Sequence, residues 1–207
     1  GLKGGHSGDD IDKGRGNSNK LLNRFLRYGT REFGLRLAQF DGGNLRNAIP
    51  REAFAIFGVS GGCVKPMLER FETYKAEITA EFQMTEPSLE VTLAEEPAPA
   101  QVVDEVTQRR LVNAVCGVPN GVLAMSSAMP GLVETSTNLA SVKFPEPGRI
   151  VVTTSQRSSV GSARDEAAAS VRAVFDLAGA RVIHSDGYPG WNPNPGSRLL
   201  KVAEQTY

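Results

Sequence analysis

The chain has 207 residues, 40% of them hydrophobic and 22% charged, with Lys plus Arg and Asp plus Glu equal at 23 each. A net charge of zero argues against the broad basic surface that nucleic acid or an anionic membrane requires, leaving room only for a local patch. No apolar run reaches the ~20 residues that span a bilayer, and the length suits one large domain or two smaller lobes.

Cys63 and Cys116 lie in unrelated contexts without CxxC spacing. They read as buried free thiols of a cytoplasmic protein, with a disulfide left open. No signal-peptide pattern opens the chain, and the missing initiator methionine leads us to expect a processed or excised segment.

A short strand is expected at Gly1–Lys3, followed by a glycine turn and a helix over Gly16–Gly29 with Leu21, Leu22, Phe25 and Leu26 on one stripe. Gly29 is the expected stop. Lys13, Arg15, Lys20, Arg24, Arg27 and Arg31 recur at three- and four-residue spacings, which reads as a solvated face. Two strands follow, "LRLAQFDGG" and "AFAIFGVS", separated by the turn-rich "DGGNLRNAIP". A helix over Lys65–Glu81 carries Met67, Leu68, Phe71, Tyr74 and Ile78 at helical spacing, and "SLEVTLAE" alternates as a strand. Prolines in "EEPAPAQ" make a stiff connector at 95–101.

The second half varies the same theme. A helix over Asp104–Cys116 leads through a glycine- and serine-rich stretch into two strands, "LVETSTNLASVKF" and "RIVVTTSQRSS". A helix over Ala163–Ala178 follows, with Ser162 and Asp165 in a capping arrangement, and then a strand, "ARVIHSDG". The order βαββαβ then αββαβ predicts an α+β fold of two lobes, 1–96 and 97–187, with mainly antiparallel sheet and helices on one face. The last stretch, 188–207, is different in kind: three prolines and one tryptophan precede a helix start at Ser197 that runs to the chain end.

A catalytic zinc site needs three or more ligands at short, defined spacings. His6 and His184 stand far apart with no HExxH, so no metal ligand is assigned in this chain. "GVSGG" at Gly58–Gly62 matches G-x-S-x-G, and Asp165, Asp176 and His184 follow in hydrolase order. A serine hydrolase using Ser60 is nonetheless set aside. The nucleophile elbow needs its helix at once, whereas Cys63–Pro66 is expected to intervene, and no long parallel sheet is expected. "GRGNSN" at Gly14–Asn19 lacks the glycines of a dinucleotide loop.

Three residues form the remaining constellation: His6 in "GGHSGDD", Asn47 in "GGNLRNAIP" and Arg157 in "TTSQRSS". Taken singly, His6 caps a turn, Asn47 makes an Asx turn and Arg157 is a surface strand residue. Taken together they suit a small peptide. An imidazole donates to a developing oxyanion, an amide bonds polar groups, and a guanidinium fork pairs with a terminal carboxylate.

The stretches "GLKGGHSGDDIDKGRGN", "GGNLRNAIPREA", "LVETSTNLASV" and "YPGWNPNPGSRLL" run in order through the whole chain. On them the sequence resembles the bacterial aminoacyl-histidine (cytosolic non-specific) dipeptidases, of the dizinc superfamily that includes aminoacylase and carnosinase. The resemblance implies a lid, or dimerisation, domain of βαββαβ-type lobes inserted in a catalytic domain, with 188–207 returning toward that domain. It implies two zinc ions held before Gly1 and after Tyr207, a dipeptide substrate (with C-terminal histidine favoured) and a homodimer. It gives His6 the role of stabilising the tetrahedral intermediate, Asn47 a part in holding substrate and Arg157 the pairing with substrate carboxylate. Ser158 and Ser159 follow Arg157 where the wider superfamily has Arg-x-Pro. On this reading the isolated segment is inactive and metal-free. The alternative is a free-standing α+β interaction module, which predicts a gene no longer than this segment.

Overall fold

A computed structural model describes residues 1–191, 194 and 196–206. Helix α1 (Ser18–Glu32) starts where Asn17 accepts hydrogen bonds from the backbone of Asn19 and Lys20. It buries Leu21, Phe25 and Leu26 as the apolar stripe predicts. The helix overruns the expected stop, because Gly29 is there for packing: a Cβ on it would lie 2.8 Å from Leu35 Cδ1. The stop is Gly34, at φ +60°, where Phe33 and Leu35 both donate to the Gly29 carbonyl. The basic series is solvated in part only. Lys20 is half-buried, its Nζ donating to the carbonyls of Cys116 and Val118, and burial pushes its ammonium pKa down.

Strand β1 (Gly5–His6) pairs antiparallel with β3 (Ala48–Ile49) as a small two-stranded sheet. The main sheet has five strands, all paired antiparallel, as the α+β class requires. β2 (Arg36–Gly42) pairs with β4 (Ala53–Gly58) on one side, and Gly42 meets Val142 of β6 on the other. The long β6 (Val133–Glu146) also carries β5 (Gly121–Met125) and β7 (Arg149–Ser158). The sheet therefore runs through both halves of the chain, 1–96 and 97–187.

Its inner face builds the core. Leu37 and Phe40 of β2 and Leu139 and Val142 of β6 pack with Leu26 of α1 and with two further helices. These are α3 (Glu105–Gly117), giving Leu111, Val112 and Val115, and α4 (Gly161–Leu177), giving Val171 and Phe175. Each fully buried side chain of this size contributes about 1.5–3 kcal/mol of transfer free energy. Along β4, Phe54 and Ile56 alternate outward and are exposed, as are Leu123 and Met125 of β5. Helix α2 (Gly61–Phe82) makes a second cluster, laying Met67, Phe71, Tyr74 and Ile78 on Phe25.

Several expected elements take other forms. Gly1–Lys3 is not a strand; the pairing begins at Gly5. "SLEVTLAE" and "ARVIHSDG" run without ladder bonds. In the first, Leu89, Val91 and Leu93 do cover the Phe25 cluster, so the alternation reports packing and not pairing. The glycine- and serine-rich stretch contains β5. Ser162 and Asp165 do not cap α4, whose N-cap is Val160, and Asp165 pairs with Arg164 instead. A final helix α5 (Arg198–Thr206) follows Ser197, whose Oγ accepts from the Leu200 backbone. Within 188–207, Asn192, Pro193, Pro195 and Tyr207 lie outside the described residues, and so does the reading placed on those two prolines and the chain end.

Candidate functional site

The turn that presents His6 is held from several directions. Gly5, at φ +142°, sits where a Cβ would lie 2.6 Å from Asp10 Oδ2 and closer still to the Arg15 guanidinium, so a side chain is excluded on both counts. The His6 backbone N–H donates to Asp10 Oδ2 at 2.9 Å, and Arg15 Nη1 donates to the Gly4 carbonyl at 2.6 Å. Asp10 Oδ1 receives Lys13 Nζ at 2.9 Å and lies 3.1 Å from Arg15 Nη2. The Lys13 ammonium and the His6 N–H hold the Asp10 carboxyl below the usual carboxylate range. Beneath the turn, the buried Glu86 accepts from the Lys3 backbone at 2.8 Å and the Gly16 backbone at 3.0 Å.

The β1–β3 pairing sets His6 opposite Ala48, and Ser7 N–H donates to the Asn47 carbonyl at 2.9 Å. Asn138 on β6 anchors the same strand by donating to the Ala48 carbonyl at 2.7 Å. Arg157 approaches from the far end of β7, opposite Ser136. Gly8 marks the meeting point: a Cβ there would lie 3.2 Å from His6 Cε1 and 3.5 Å from Arg157 Nη1. Residues read as separate in the sequence thus share one edge.

That edge borders an open concavity of about 1920 Å3, lined by Gly8, Asp9, Asn47, Arg157, His184 and Tyr188 among others. Asn47 is exposed to it. Among the described residues Arg157 Nε is buried without a partner, and its Nη1 meets Tyr188 Oη only at 3.4 Å. A guanidinium so weakly engaged is available to a carboxylate. Tyr188 is steadied in turn by Arg164, whose Nη1 donates to its carbonyl at 2.7 Å. His6 Nδ1 lies 2.9 Å from Asp9 Oδ2, off the axis of a completed hydrogen bond. The His6 ring and the Arg157 guanidinium thus lie on either side of Gly8, at the edge of a concavity that Asn47 and Arg157 line.

The other sequence candidates fall elsewhere. Helix α2 begins at Gly61 directly after Ser60, so the expected gap over Cys63–Pro66 does not exist. Ser60 is exposed, follows a strand of an antiparallel sheet and does not line the concavity that His184 borders. Cys63 and Cys116 are free, as expected, but Cys116 is exposed and Cys63 half-buried. Among the described residues no group of three or more His, Cys, Asp or Glu is placed to hold a metal ion. The residues present therefore do not fit the two zinc ions that the resemblance implies. Sequence reasoning missed Glu86 and Tyr188 as supports of the edge. It quoted "HSGDD" and "YPGW" without separating Asp9 from Asp10 or placing Tyr188 beside Arg157.

Residues 1–90 match the family model described as a peptidase dimerisation domain. Over 210 aligned residues the chain is 38% identical to the cytosol non-specific dipeptidase of Escherichia coli (strain K12), covering 100% of this chain and 42% of that protein. The crystal structure of aminoacylhistidine dipeptidase from Vibrio alginolyticus matches with a TM-score of 0.94 at 39% identity, again covering 100% of this chain and 42% of that one. The chain spans less than half the length of these relatives.

Proposed function

We propose, from the match of residues 1–90 to the peptidase dimerisation-domain family, that the chain is the lid and dimerisation segment of a cytoplasmic metallo-dipeptidase. Its task is to complete an active site whose catalytic half lies in another part of the protein. A homodimer through this segment follows from the family description. The substrate is a dipeptide, with the resemblance favouring a C-terminal histidine.

One observation carries the reading: the His6 ring and the Arg157 guanidinium flank Gly8 at the rim that Asn47 also lines. Arg157 receives the substrate carboxylate with its planar fork. Asn47 bonds the polar atoms of the peptide. His6 donates to the oxygen that gains charge as the peptide carbonyl is attacked, an interaction stronger in the transition state than in the ground state. Closure of the segment over substrate excludes water and strengthens all three contacts. The two divalent metal ions, zinc by the resemblance, are then held by residues outside this chain, and none of these roles is routed through them.

The test is made in the complete protein that carries this chain, with a Xaa-His dipeptide. His6→Ala is expected to lower kcat about 10²–10³-fold, the usual loss for an oxyanion donor. Arg157→Ala is expected to raise KM about 10–100-fold, in line with truncating one partner of a charge-assisted pair. Turnover within twofold of the parent in His6→Ala removes His6 from the chemistry. Activity in the 207-residue chain alone would overturn the assignment of a lid.

A further inference from the structure

His6 is followed after Ser7 and Gly8 by two adjacent aspartates, whose surroundings differ. Asp10 is fully engaged: Oδ1 by Lys13 and Arg15, Oδ2 by the His6 backbone N–H. The Asp9 side chain is 84% exposed, yet its Oδ2 stands 2.9 Å from His6 Nδ1. That nitrogen is itself buried and completes no hydrogen bond among the described residues. The other charged group close to the ring, Arg157 Nη1 beyond Gly8, is a donor and cannot accept from it.

From this geometry we infer that Asp9 is the positioning residue of His6: its carboxylate accepts a hydrogen bond from Nδ1–H, fixes the ring plane and leaves the Nε2 edge to meet the substrate. The inference rests on the proposed role of His6. An exposed carboxylate needs only a side-chain rotation to come onto the Nδ1–H axis, and a charge-assisted bond there strengthens when closure removes water. With Nδ1–H so held, the ring turns its Nε2 edge toward the developing oxyanion. Asp9 touches neither substrate nor reacting atoms; it acts through the ring, as the partner of the second ring nitrogen does in other histidine sites.

Asp9→Ala, Asp9→Asn, Asp9→Glu and His6→Ala are compared in the complete protein that carries this chain. Asp9→Ala is expected to lower kcat about tenfold with KM within twofold, Asp9→Asn to fall between, and Asp9→Glu to restore most of the rate. In parallel, ring 15N signals are recorded for the 207-residue chain, whose two histidines are distinguished by substitution. The parent is expected to show His6 protonated at Nδ1 in its neutral form. Asp9→Ala should revert to the Nε2–H tautomer while the His184 signals stay in place. Either an unchanged kcat in Asp9→Ala or unmoved His6 ring signals overturns the inference, and the proposed function stands so long as His6→Ala loses turnover. Normal turnover in His6→Ala overturns both.

Discussion

Two segments frame the rim of the concavity, and they are held in opposite ways. The turn over residues 3–16 is tied by the β1–β3 pairing, the Asp10 bonds and the two backbone bonds to buried Glu86. The segment over 180–190 has no strand pairing, exposes Ile183 and Tyr188, and is fastened chiefly where Arg164 grips the Tyr188 carbonyl. One wall is tied at many points and the other at few. A transition-state donor needs placement within a fraction of an ångström, which an over-determined turn supplies. A segment with few ties opens at lower free energy, and here it carries Tyr188 beside Arg157.

The contrast is open to attack from either side. The largest effect is expected at Glu86. Glu86→Ala leaves the buried Gly16 N–H and the part-buried Lys3 N–H without their acceptor and should lower stability by about 1–3 kcal/mol in urea unfolding, the cost of one unsatisfied buried donor. A loss under about 0.5 kcal/mol would show that the turn is held without it. Next comes Arg164→Ala, which should leave stability within about 0.5 kcal/mol while raising KM a few-fold (about 2–5) as Tyr188 loosens beside Arg157. A large stability loss there would make the second wall as firmly tied as the first.

The smallest effect is a pH response. The Asp10 carboxyl is held below its unfolded value by Lys13, the His6 N–H and Arg15. A depressed carboxyl contributes stability that is complete above its unfolded pKa, ~3.9, and is lost as pH falls through the lower folded value. The side-chain carboxyl 13C signal of Asp10 should therefore hold steady from neutrality to about pH 4 and shift below it. Asp10→Asn should flatten that response. A response centred near neutrality would point to a group other than Asp10.

How much of this was legible depended on whether the signal was local. The helical stripe Met67, Phe71, Tyr74, Ile78 predicted α2, because packing follows the same period as the backbone. His6, Asn47 and Arg157 could be named from motifs. Their nearness could not, because it depends on the pairing of His6 with Ala48 and of Arg157 with Ser136 across the sheets. "SLEVTLAE" misled because alternation reports one covered face, whereas a strand also needs a neighbour with free backbone groups. Glu86 carried no signal at all: a glutamate after a helix looks solvent-facing until Lys3 and Gly16 are folded against it.

By itself the sequence determined the positions of the helices, the antiparallel α+β class and the glycine-bounded turn at His6, since periodicity, caps and backbone freedom are properties of short stretches. Only the tertiary structure decided that one sheet joins both halves. β6 is long enough to pair with β2 at Val142 and with β5 and β7 along its length, and partner choice between strands distant in sequence is settled by mutual burial, not by either strand alone. The same non-local pairing brings an imidazole from the first turn to a guanidinium at residue 157.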